Sequence, residues 1–203
     1  MKIAVTGASG RAGSRIAAEL ALRGHAVTAI ARNPEKIATL PGVTAQKGDV
    51  NDQAGLAALW AGHDAAISSV HFSVSDPVKL IGAAKASGVG RYLVVGGAGS
   101  LEVAPGVRLV TTPNFPAQYK AEATKGAEFL DLLRQEKDLN WTFLSPSTLF
   151  VAGERTGKFR LGTDQLLTAA DGKSSISFED FAVALADEID RPAHISMRFT
   201  VGY

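Results

Sequence analysis

The chain contains no cysteine, which excludes a disulfide framework, thiol redox chemistry and thiolate metal sites. It also lacks a charge of prevailing sign: 21 Lys and Arg stand against 20 Asp and Glu, so no long-range field is available to steer it onto nucleic acid or an anionic membrane. No window approaches the roughly 20 apolar residues needed to cross a bilayer. The opening Met1-Lys2-Ile3-Ala4-Val5-Thr6 breaks at Gly7, too early for the hydrophobic region of a signal peptide, and the expectation is a cytoplasmic protein without membrane or nucleic-acid partners. There is no Gly-Lys-Ser/Thr ending to a glycine loop, which removes P-loop nucleotide hydrolysis, and no Gly-x-Ser-x-Gly elbow to suggest a hydrolase. No His/Asp/Glu spacing matches a metal motif, so no metal is expected.

What is present is a rhythm. Short apolar runs alternate with stretches of helical period, as they do when parallel strands are joined by crossover helices. Strands are expected near 2–6, 26–31, 43–48, 65–70, 91–97 and 141–145, with helices near 11–23, 52–61, 76–87 and 119–136. Ile16, Ala17, Leu20 and Ala21 recur as one buried stripe of the first helix, and Arg23-Gly24 supplies its stop. After Pro146 the alternation lapses, and residues 147–176 read as an excursion over the sheet. Ser177-Phe178-Glu179-Asp180 then resembles an N-cap with an acidic first turn, opening a helix to about Asp190 before a last strand at 195–201. The expected fold is therefore α/β: one Rossmann-type, doubly wound domain over 1–203, with a mainly parallel sheet of six to eight strands and helices on both faces. The pattern carries no signal for an oligomeric state.

Thr6-Gly7-Ala8-Ser9-Gly10-Arg11-Ala12-Gly13 follows the first strand and opens the first helix. A pyrophosphate can sit against a helix N-terminus only where the backbone turns sharply and approaches closely, which glycine permits. Gly7, Ser9, Gly10, Arg11, Ala12 and Gly13 are accordingly the expected phosphate loop, with Gly13 admitting close packing of helix on sheet. Where NAD-specific proteins carry an acid, at the end of the second strand, this chain has Arg32. A guanidinium suits the extra phosphate of NADP, Arg11 could assist it, and NADP is the expected cofactor over NAD. The bland reading of Arg32 is a solvated charge. Asp49, followed by Val50 at the end of the third strand, could accept from the adenine amino group or cap the next helix.

These residues resemble the atypical short-chain dehydrogenase/reductase group, specifically its small NmrA-like and NADH-flavin-reductase-like members, which are also similar to biliverdin-IXβ/flavin reductases. The likeness rests on the Thr6–Gly13 loop, on Arg91-Tyr92-Leu93-Val94-Val95-Gly96-Gly97-Ala98-Gly99-Ser100-Leu101, on Trp141-Thr142-Phe143-Leu144-Ser145-Pro146-Ser147, and on Gly153-Glu154-Arg155-Thr156-Gly157 with Ser177–Ala182. It implies that Ser68, Ser69 and Val70 lie along the cofactor ribose, Gly97 and Ala98 near the nicotinamide, and Pro146 and Ser147 against its carboxamide.

One departure shapes the chemistry. Ordinary members place Lys four residues after Tyr so that one helix face presents a phenol beside an ammonium. Here Tyr119 is followed by Ala123, and Lys120 points about 100° away around the helix. Ser100 could supply a hydroxyl or could cap a loop, and His71, at the ligand edge, could donate a proton or be a plain loop residue. His25 and His63 precede strands and read as surface residues, and His194 has no evident partner. Phe150 and Phe159 could line a flat pocket, whereas Trp141 and Phe143 read as core. The expected activity is hydride transfer from NAD(P)H to a conjugated small-molecule acceptor such as a quinone or a flavin, FMN or FAD. The alternatives are a non-catalytic NADP(H) redox sensor and an epimerase or dehydratase of a nucleotide sugar.

Overall fold

A computed structural model describes residues 1–203. Eight strands form one sheet: β1 Lys2–Thr6, β2 Ala26–Ala31, β3 Val43–Lys47, β4 Ala65–Ser68, β5 Arg91–Val95, β6 Trp141–Pro146, β7 Arg160–Gly162 and β8 Met197–Gly202. Their order is β7-β8-β6-β5-β4-β1-β2-β3, and every pairing is parallel except the antiparallel β7–β8 edge. The fold is the expected Rossmann-type α/β architecture. Order reverses at β1, which is flanked by β2 on one side and β4 on the other, so the crevice for a ligand opens beyond the carboxyl ends of these strands.

Five helices are α1 Arg11–Leu22, α2 Gln53–Trp60, α3 Pro77–Ser87, α4 Ala117–Leu133 and α5 Phe178–Asp190. They cover both faces, and the strands between them are correspondingly apolar on both sides: every residue of β4, β5 and β6 is buried. One core lies between the sheet and α1 and α5, built on Ile3, Val5, Ile16, Leu20, Phe181 and Leu185. The other lies under α2, α3 and α4, built on Trp60, Leu80, Tyr92, Phe129, Leu130 and Phe143. Each such side chain contributes about 1.5–3 kcal/mol by leaving water. Trp141 and Phe143 are core residues. No helix is long and apolar enough to cross a membrane.

The 147–176 excursion does more than cross the sheet. Leu149–Val151 pairs in parallel with Ser175–Ser177, and Arg160–Gly162 adds the antiparallel edge strand β7. A second two-stranded ribbon joins Glu102–Ala104 to Val107–Arg108. The excursion is clamped to α1 and α5 by charge. Arg155 donates twice to the buried Glu19 carboxylate (2.7 and 2.8 Å), and Asp180 accepts from the Thr156 and Gly157 amides (2.8 Å each) and from the Tyr203 hydroxyl (2.8 Å).

The histidines correct two expectations. His25 is buried and pairs with Asp190 at 2.9 Å, and His63 is half-buried, 2.8 Å from the Thr28 hydroxyl. Both precede strands, but the loops there fold back onto the sheet. His194 has a partner after all in Glu188 (2.8 Å), one helix end away.

Candidate dinucleotide site

The exits of three neighbouring strands are laced together by the backbone. The Gly7 amide donates to the Ile30 carbonyl (2.8 Å) and the Ser69 amide to the Thr6 carbonyl (2.8 Å), tying β1 to β2 and to the strand-end of β4. Gly7 has φ +84°, and a Cβ there would stand 2.0 Å from the Ser69 carbonyl oxygen. Only glycine fits this crossing. A Cβ on Gly13 would meet the Gly7 carbonyl oxygen at 2.2 Å, so Gly13 admits the folded loop itself rather than the packing of α1 on the sheet.

Helix α1 then opens without a cap. Gly10 has no side chain to offer and the first turn holds no acid. By contrast α2 is capped by Asp52 (3.0 Å to the Gly55 amide), α3 by Asp76 (2.9 Å to Val78) and α5 by Ser177 (2.9 Å to Asp180). The first-turn N–H groups of α1 face a cleft of about 400 Å³, an arrangement that accepts an anion where α2, α3 and α5 accept a side chain; α4 also lacks a side-chain cap, but its opening residues 117–119 lie outside this cleft.

Gly7, Ser9, Gly10, Arg11 and Ala12 line the cleft beside the loop, Arg32, Asp49 and Val50 line the wall formed by the exits of β2 and β3, and Ser69, Val70 and His71 line the opposite wall. Arg32 is exposed and belongs to none of the chain's ion pairs. Arg11 leans the other way, its guanidinium 5.6 Å from the centre of the Phe178 ring, on the α5 side of the loop. Asp49 does not cap α2, since Asp52 does; its Oδ1 accepts from the Asn51 amide at 2.9 Å.

Several expected residues lie elsewhere. Ser68 is buried with its Oγ 2.9 Å from the Tyr92 hydroxyl, so the cleft wall begins one residue later, at Ser69. Burial raises the Tyr92 phenol above its ordinary range, against the pull of Ser68. Gly97 and Ala98 sit just beyond the cleft, which is lined instead by Val95 and Gly96. Pro146 ends β6 inside the sheet, and Ser147 is buried with its hydroxyl donating to the Val201 carbonyl (3.1 Å). Ser100 is buried with its Oγ 3.4 Å from the Arg198 guanidinium, which withdraws it from any catalytic role in the cleft. Tyr119 is 62% exposed and outside the cleft, and Lys120 faces a separate groove with Arg108 and Asp131. Phe159 packs against the core, while Phe150 lines the cleft.

The residue that α4 does turn into the cleft is Glu122, which sequence reasoning missed. Its carboxylate accepts from the Phe72 amide (2.7 Å) and the Ser73 amide (2.8 Å), and lies 3.4 Å from His71 Nδ1. Partial burial pushes this carboxyl up, but the Ser73 and Phe72 donors and His71 outweigh it and hold it below its usual range. A signal was available: Glu122 stands four residues before Gly126 on the helix stripe that continues through buried Phe129, Leu130 and Leu133, and an acid on an apolar stripe asks for partners. Phe178, read only as the residue after a cap, also lines the cleft, its ring 4.5 Å from that of Phe150 at 67°.

Comparison with known proteins agrees with this geometry. The sequence profile of a family described as NAD(P)H-binding matches residues 7–192. A Burkholderia pseudomallei structure, described as that of a candidate exported protein, is 44% identical with a TM-score of 0.90, and each chain is covered completely. A Bacteroides thetaiotaomicron candidate epimerase is 39% identical over 100% of this chain and 96% of its own, TM-score 0.95. A candidate NADH-flavin reductase from Streptococcus pneumoniae is 37% identical over 100% and 99%, TM-score 0.84. The uncapped helix, the glycine crossing at the switch point and the profile match over nearly the whole chain agree: the protein belongs to the NAD(P)H-binding family of Rossmann-fold proteins.

Proposed function

We propose that the protein is an NAD(P)H-dependent oxidoreductase that passes hydride to a flat, conjugated acceptor, a flavin or a quinone, with NADPH as the preferred donor. The observation that carries this reading is the missing acid pair. Tyr119 is exposed on α4 and outside the cleft, with Ala123 where a lysine would stand. Hydride addition to a simple ketone leaves an alkoxide that must be stabilised where it forms. A flavin or quinone spreads that charge over its rings, and alignment beside the nicotinamide supplies most of what such a transfer needs. Phe150 and Phe178, which line the cleft with their ring centres 4.5 Å apart, give an apolar boundary suited to a ring system. The name of the Streptococcus pneumoniae relative points to the same class of acceptor.

Preference for NADPH rests on Arg32, an unpaired guanidinium at the strand end where an acid would bind a free ribose hydroxyl. Epimerisation, suggested by the name of the Bacteroides thetaiotaomicron relative, fits less well, because the tyrosine–lysine pair that would exchange the proton of a carbinol is not assembled in the cleft. A coenzyme-sensing protein without turnover is the second reading, favoured by the same missing pair. Mixing the purified protein with NADPH and FMN or dichlorophenolindophenol, and following the nicotinamide absorbance band, separates them. Turnover supports the reductase. Tight NADPH binding with no turnover across flavins and quinones overturns it in favour of the sensor.

A further inference from the structure

Two titratable groups meet inside the cleft, one from each of two elements that converge on it. His71 lies immediately past β4 and is 78% exposed, and Glu122 projects from α4, the helix whose tyrosine and lysine are lost as an acid pair. Glu122 is itself fixed: two successive amides, Phe72 and Ser73, donate to its two oxygens, so the carboxylate cannot swing away from the turn that carries His71. The Ser75 hydroxyl further holds the turn by donating to the His71 carbonyl at 2.9 Å. With Nδ1 facing the carboxylate at 3.4 Å, Nε2 has no partner within the chain. The other charged groups near the turn are Asp76, which caps α3, Lys79 on that helix, Lys125 and Glu128 of α4, the Lys125 ammonium lying 3.5 Å from the Ser73 carbonyl, and, on the cleft walls, Arg11, Arg32 and Asp49. Among these, histidine alone exchanges a proton readily near neutral pH.

We infer that His71, oriented by Glu122, donates the proton that accompanies hydride transfer. The inference rests on the oxidoreductase reading above and adds to it the source of the proton. The hydride and its electron pair leave C4 of the reduced nicotinamide and form a C–H or N–H bond on the acceptor, whose π system takes up the negative charge. The imidazolium Nε2–H bond then breaks and its proton goes to the charged nitrogen or oxygen of the acceptor, giving the dihydro product and the oxidised coenzyme. The exposed imidazole regains its proton from solvent. Glu122 is a positioning residue in this scheme: it orients the ring so that Nε2 faces the cleft side.

The test is the pH dependence of kcat at saturating NADPH and dichlorophenolindophenol for three proteins: wild type, His71→Gln and Glu122→Gln. Coenzyme affinity is followed in parallel by quenching of protein fluorescence. The wild-type kcat is expected to fall as pH rises through the neutral range. His71→Gln is expected to lose about 100-fold in kcat at pH 6, within the span that general acids contribute, and to show no such fall, with NADPH affinity unchanged. Glu122→Gln is expected to keep the fall with rising pH while losing part of kcat, with NADPH affinity unchanged. A His71→Gln protein with wild-type kcat and pH profile overturns the inference and leaves the reductase standing. So does one in which NADPH affinity falls as far as kcat, which would assign His71 to binding. No turnover in the wild type removes the reductase reading first, and this inference with it.

Discussion

Replacing Gly7 with alanine should damage the fold and the site together, by an amount that can be worked out against a matched control. At φ +84° the backbone lies in the left-handed region, where an L side chain costs roughly 1–2 kcal/mol. The new methyl would also stand 2.0 Å from the Ser69 carbonyl oxygen and 3.0 Å from Val70 Cγ1, and since the nearer atom is backbone, the exit of β4 must move. Overpacking of that kind adds about 1–3 kcal/mol. Gly62 offers the control: φ is +74° and no atom lies within 4 Å of its Cβ position, at the end of the sheet away from the cleft. Gly62→Ala therefore carries the conformational cost alone, and Gly7→Ala the same cost plus the clash. Urea denaturation should show the Gly7 variant about 1 M below the Gly62 variant in midpoint, given slopes of about 1–3 kcal/mol/M. Calorimetry should show NADPH affinity at least tenfold weaker in the Gly7 variant, about 1.4 kcal/mol, and unchanged in the Gly62 variant. Equal midpoints and equal affinities for the two variants would refute the claim that the close approach of Gly7, past β1, to Ser69, past β4, is both sterically closed and part of the coenzyme site.

Other expectations are narrower. Arg32→Gln should weaken NADPH binding by about tenfold or more while leaving NADH nearly unaffected, as expected from loss of a charge-assisted phosphate contact, and paired titrations of the two coenzymes measure it. Tyr119→Phe should leave kcat for a flavin or quinone within about threefold of wild type, since removing an acid that acts in the transition state would cost 100-fold or more; a collapse in steady-state rate would return this tyrosine to the mechanism. Asp180→Asn should destabilise the chain by about 1.5–3 kcal/mol, because the buried carboxylate gathers charge-assisted bonds from Thr156, Gly157 and Tyr203, and thermal melts read the loss. Burial raises the Asp180 carboxyl, but those donors outweigh it and hold it below its ordinary value, so its contribution is complete above the unfolded carboxylate range near about 4 and is lost as pH falls through the depressed value. Acid melts of wild type and variant should therefore converge below that range.

Periodicity made most of the fold legible. The seven parallel strands and the five helices were all legible; most declare themselves because they bury a face or both faces and burial writes a repeat into the sequence, while β3, exposed along most of its length, is legible from its β-branched start and its place in the alternation. Arg160–Gly162 declares nothing: three residues ending in glycine, placed at a sheet edge, hold too little pattern to separate from loop. The Glu102–Arg108 ribbon escapes notice for the same reason. At the site, the glycine loop was readable because its spacing encodes a steric requirement local to the chain. Ser68 and Ser69 show the limit. They are adjacent and identical, and only the register of β4 beside β5 decides that one hydroxyl bonds Tyr92 in the core while the other residue meets the cleft. Glu122 shows another, since its partners, the amides of Phe72 and Ser73, are some 50 positions away and are joined to it only by the tertiary fold.

The open amides of α1 and the close approach at Gly7 together make the expected diphosphate site. Isothermal titration of the full chain with NADPH and, separately, NADH tests this most directly. One coenzyme bound per chain, more tightly for NADPH than for NADH, is the expected result. Absence of binding heat for both coenzymes at several temperatures, from protein shown by its melting transition to be folded, would contradict it.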